Sequence, residues 1–195
     1  MKIVNHLKMG CLIWENMSNK DVALKKWLYL LGNLAPDFSY SFTFKLHSYT
    51  LCGGRFRKLL RKLIERSGVV ESAWFSFHAG IMSHYVCDFF CYAHTDAFKG
   101  KVREHMRYEK TQEVRADEML EFNRERFTSC NYSGLVTVIE GHLTKHSQVL
   151  TKKAEMSAYD IPLAVYISTL ALLAICQGST QLSEIEPLRP PLLSA

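Results

Sequence analysis

From Phe77 to His94 the chain reads FHAGIMSHYVCDFFCYAH, an apolar run with one carboxylate, Asp88, set inside it. A helix that is apolar on every side belongs in the middle of a protein. A carboxylate that goes in with it is costly unless it is paired or bound to a metal. The segment therefore calls for other elements to wrap it and for partners to meet Asp88. The apolar residues elsewhere recur mostly at three- and four-residue spacings, which predicts helices.

Helices are expected at about residues 4–16, 20–34, 55–67, 71–92, 98–127, 133–156 and 158–177. Pro36 is expected just beyond the second, and 35–53 reads as a loop rich in Ser and Thr that ends in Gly53-Gly54. Ile161 to Cys176 is apolar throughout, but it is shorter than the roughly 20 residues that cross a bilayer and contains Pro162. It reads as a buried helix. The expected fold is an all-α, single-domain multi-helix bundle over residues 1–178, followed by a loose Pro-containing tail at 179–195.

The six cysteines include no C-x-x-C pair, and the first ten residues lack the apolar run of a signal peptide. A cytoplasmic protein with reduced thiols follows, with Cys87 and Cys91 as core residues. The net charge of +5 suits anionic partners without selecting one. Arg55, Arg57, Lys58, Arg61, Lys62 and Arg66 line one helix; a solvated outer face is the simpler reading, a phospholipid contact the other.

The chemistry is carried by histidines and carboxylates. His84 and Asp88 are four apart, which puts an imidazole and a carboxylate on one helical face, one turn apart. His105 and Glu109 repeat the device on the next helix. His94 is rotated off the His84 face and must come from the helix end or the turn after it. Imidazole and carboxylate without thiolate suit zinc. His78 reads as core or as a neighbour of the site, and His142 with His146 as a surface pair on a polar face.

HYVCDFFCYAH, with its spacing H-x-x-x-D-x-x-x-x-x-H, resembles the signature of the zinc-dependent phospholipase C family. The His105–Glu109 pair matches the H-x-x-x-E that follows it there, and GNLAPD matches the family's Gly-x-x-x-Pro-Asp element. The resemblance implies metal ligands at His6, Asp37, His47, His84, Asp88, His94, His105 and Glu109. It assigns Asp37, His47, His84 and Asp88 to one zinc and His94, His105 and Glu109 to another, and leaves His6 with Asp88 for a third. The metal cluster would lie in an interhelical cleft. The implied function is phosphodiester hydrolysis, with two or three zinc ions activating water and Asp37 as catalytic carboxylate. The implied substrate is a phospholipid or other phosphodiester, with peripheral membrane contact; nucleic acid is the less favoured substrate. Two alternatives stay open: a zinc nuclease of the same superfamily, and a non-catalytic metal-binding helical protein.

Overall fold

The computed structural model describes residues 2–18, 24–38, 48–112, 132–149 and 156–176. The fold is all-α. Seven helices, α1 (Ile3–Ser18), α2 (Lys26–Phe38), α3 (Tyr49–Glu65), α4 (Ala73–Phe89), α5 (Val102–Thr111), α6 (Tyr132–Val149) and α7 (Met156–Cys176), are joined by short 3₁₀ turns at Ser67–Val69 and Tyr92–His94. His47 and the tail at 179–195 lie outside the described residues, as do 113–131.

The helix that carries Asp88 is the centre of the molecule. α4 packs against α1, α2, α3 and α7. Phe75, Ala79, Met82, Val86, Cys87 and Phe89 are buried along it. Its N-terminus is capped by Ser72, which accepts from the Phe75 amide at 3.1 Å. α7 is equally enclosed from Ile161 to Ile175, and among the described residues no helix is long and apolar enough to cross a membrane. Cys87 and Cys91 are core residues, and burial pushes the Cys87 thiol up to about 12.

The packing of α2 on α4 depends on two glycines. A Cβ on Gly32 would sit 1.9 Å from the Phe77 carbonyl oxygen, and one on Gly80 would sit 2.0 Å from the Tyr29 oxygen and 2.6 Å from the Asn33 nitrogen. The backbones touch there, with no side chain between them. α1 runs antiparallel to α2: Lys26 lies 4.3 Å over the Trp14 ring at one end, and Gly10 faces Leu30 and Asn33 further along.

Several boundaries differ from expectation. α2 begins at Lys26 and runs through Pro36 to Phe38, so Pro36 lies inside it and Asp37 is a helical residue. Proline in the last turn removes one amide bond without breaking the remaining turns. α3 begins at Tyr49, capped by Ser48, and takes in Gly53 and Gly54. α5 begins at Val102, where Glu104 accepts from the Lys101 amide at 2.6 Å. The basic residues of α3 are exposed: Arg57 reaches Glu140 of α6, and Arg61 and Arg66 lie over the Tyr132 and Trp74 rings. That is the solvated face.

Replacing Gly80 by Ala should cost roughly 3 kcal/mol or more, the upper end for overpacking, because its neighbours are backbone atoms that cannot rotate away. Urea unfolding would read this as a lower midpoint; an unchanged midpoint would mean the helices part without cost.

Candidate metal centre

Five elements converge on one region. His6 comes from α1, Asp37 from α2, His84 and Asp88 from α4, His94 from the 3₁₀ turn, and His105 and Glu109 from α5. Ligand atoms of His6, Asp37 and His84 all lie within 4.8 Å of one another, and those of His94, His105 and Glu109 do likewise. Asp88 stands between the two groups. Its Oδ1 is 3.2 Å from His6 Nε2 and 3.6 Å from His94 Nδ1, and its Oδ2 is 3.2 Å from His84 Nε2. The i,i+4 spacing works as expected on both helices, and His94 arrives from the turn after α4.

The close approach of α2 to α4 sets the chemistry of His84. Its Nδ1 is 2.8 Å from the Asn33 carbonyl oxygen. A carbonyl only accepts, so Nδ1 carries the proton. In the neutral ring the lone pair is then on Nε2, which faces Asp88 at 3.2 Å and Asp37 at 3.8 Å. A lone pair among carboxylates is repulsive until a cation sits between them, and a carbonyl holding the other ring nitrogen is the usual support of a metal-bound histidine.

His6 tells the same story. Its ring is fully buried and stacks on His84 with centroids 3.9 Å apart. Neither of its nitrogens makes a hydrogen bond, although Nε2 is near Asp88. Burial, with His84 adding to it, pushes its pKa down to about 3, so it is a neutral ligand-type imidazole at neutral pH. Burial likewise lowers His94. Burial acts to raise the Asp88 carboxyl, but His94, His6 and His84 outweigh it and hold it well below the usual range. At Glu109, burial is outweighed by hydrogen bonds from His105 and His94, at 2.7 and 3.0 Å on Oε1. Both carboxylates are therefore charged and acceptor-only, as zinc requires.

The grouping differs from the expected one in that His6 joins Asp37 and His84 directly. His78 is apart from the cluster: its Nδ1 bonds the Trp74 carbonyl and its ring stacks on the Trp74 indole.

Another correction concerns α6. His142 and His146 are not a surface pair; both are buried, His146 to 2% exposure. Their face of α6 turns inward while Lys145 points out. His146 Nε2 donates to Asp160 Oδ1 at 2.9 Å. The other oxygen of this fully buried carboxylate accepts from the Tyr92 amide (2.7 Å), Tyr108 Oη (2.6 Å) and Gln112 Nε2 (3.1 Å). Sequence reasoning missed this network. The available signal was a carboxylate at the head of an apolar helix with no partner in its own helix.

A family model for zinc dependent phospholipase C matches residues 5–158, which takes in every cluster residue described above. No curated protein and no solved structure matches the chain. The matched span is most of the chain, and the chain belongs to the zinc-dependent phospholipase C family.

Proposed function

We propose that the protein hydrolyses the phosphodiester of a phospholipid, using two zinc ions held by the converging helices. The observation that carries this is His84, whose proton is committed to the Asn33 carbonyl while its other nitrogen faces two carboxylates. His6, Asp37 and His84 would hold one ion, and His94, His105 and Glu109 the second, with Asp88 between them. His47 would add to the first. Zinc supplies Lewis acidity there, polarising phosphate oxygens and making water a competent nucleophile at neutral pH.

The chain's own residues do the rest. Asp37 is the least enclosed member of its group: its side chain is 17% exposed, against 0% for His84. It is placed to orient the attacking water and to take its proton. Asp88 holds three histidines on one carboxylate and so fixes how the two groups sit relative to each other.

A lipid substrate is also supported by the surface beside the cluster. On α2, Trp27 (82% exposed), Leu31 (56%) and Phe38 (68%) lie on one stripe, at i, i+4 and i+11. On α1, Ile3, Val4 and Leu7 are exposed around His6. Apolar residues on the two helices that carry His6 and Asp37 suit contact with a lipid interface.

Elemental analysis should find about two zinc per chain, and about one in the double variant H105A/E109A. Near zero after zinc addition and dialysis would remove the metal centre from consideration. Replacing Asp37 by Asn should lower turnover by about 100-fold or more while most zinc is retained; full activity in D37N would refute its role. Replacing Trp27 and Leu31 by Glu should release the protein from phospholipid vesicles and slow cleavage of vesicle lipid. Cleavage of a water-soluble short-chain substrate should be unchanged, and equal loss on both substrates would count against a lipid-facing stripe. Single-stranded DNA serves as the control substrate and should not be cleaved.

A further inference from the structure

Beside the cluster is a cavity of about 350 Å³, bordered by His94 and His146 together with Ser48, Tyr49, Thr95 and Asp96. His94 belongs to the metal centre, whereas His146 has no part in it. The Nε2 of His146 is committed to Asp160. Its Nδ1 is enclosed and makes no hydrogen bond among the described residues. Leaving a buried polar atom unpaired costs about 1–3 kcal/mol, and a purely structural histidine has its second nitrogen satisfied. Phe90, edge-on to the ring at 5.6 Å between centroids, and Asp160 hold the imidazole in one orientation.

Asp160 plays the part that a buried carboxylate plays toward a catalytic imidazole. It fixes which nitrogen is committed and stabilises the ring when it is doubly protonated. The carboxylate is itself immobilised by Tyr92, Tyr108 and Gln112. What the cavity receives is one oriented ring whose only unused polar atom is Nδ1, next to a residue of the metal centre.

We propose that His146 is the acid that protonates the leaving alcohol of the phosphodiester, and that this cavity receives that alcohol. The proposal rests on the phosphodiesterase reading. A water oxygen forms the new bond to phosphorus and its proton goes to Asp37. The bond from phosphorus to the alcohol oxygen breaks, its electron pair stays on that oxygen, and the proton on His146 Nδ1 moves to the same oxygen. The products are a phosphomonoester and an alcohol; Asp37 gives its proton to solvent and His146 regains one.

The test is the dependence on leaving group. His146→Gln keeps a donor for Asp160 and removes Nδ1. Its kcat/KM is compared with wild type on two water-soluble phosphodiesters, one losing p-nitrophenol, which leaves without a proton, and one losing an alkyl alcohol. The expected result is a loss of about 100-fold or more on the alkyl ester and a change of a few-fold at most on the aryl ester, with zinc content unchanged. Equal loss on both, or no loss on either, would overturn the role of His146. Wild-type protein that binds zinc yet cleaves neither ester would overturn the phosphodiesterase reading and this step with it. A second readout needs no turnover or variant. In protein labelled with ¹⁵N-histidine, an inert phosphonate analogue carrying the alkyl alcohol group should move the His146 Nδ1 resonance, and a resonance that stays in place would overturn the assignment.

Discussion

The contact between Gly32 and Gly80 is the constraint on which the centre depends. Two helices with ordinary side chains at their crossing stand 8–10 Å apart. Here backbone meets backbone, and so the Asn33 carbonyl comes within 2.8 Å of the His84 ring. That one bond decides which nitrogen of His84 is available. The same helix then delivers Asp37 one turn further along, facing the available nitrogen. A side chain at either glycine would disturb packing and site chemistry together.

Two carboxylates are fully buried, and they are handled in different ways. Asp160 is surrounded by four donors, of which the Tyr92 amide, the Gln112 amide and the His146 imidazole come from different elements. Asp88 is surrounded by histidines, two of which, His6 and His94, have pKa values lowered by burial. Donors can satisfy a carboxylate by themselves, as at Asp160. A ring of imidazoles short of protons cannot, which is why the region of Asp88 calls for cations and that of Asp160 does not.

How much of this was legible in the sequence follows from the range of each interaction. His84 with Asp88 and His105 with Glu109 are one helical turn apart, and helical periodicity alone puts each pair on one face. The all-α fold was legible for the same reason. His6 and Asp37 could be named only through the resemblance, because their meeting depends on α1 and α2 packing antiparallel. Pro36 was read as a terminator, yet the helix continues through it to Phe38. The burial of His146 was not legible, since its partner lies fourteen residues away on another helix and the sequence around it is polar.

That missed network also explains how a helix without any cluster residue can govern the cluster. α7 is an apolar core helix, and its one buried carboxylate reaches out of it in several directions. Through the Tyr92 amide it anchors the 3₁₀ turn that ends in His94. Through Tyr108 and Gln112 it holds the end of α5, one residue from Glu109, and Gln112 in turn accepts from Asn5, the neighbour of His6. Through His146 it sets the wall of the cavity. His94 borders that cavity and also belongs to the centre, so Asp160 fixes the position of both histidines between which a substrate would lie. Burying a charge is costly, and a fold that buries one here gains a single reference point for residues drawn from α1, α5, α6 and the turn after α4.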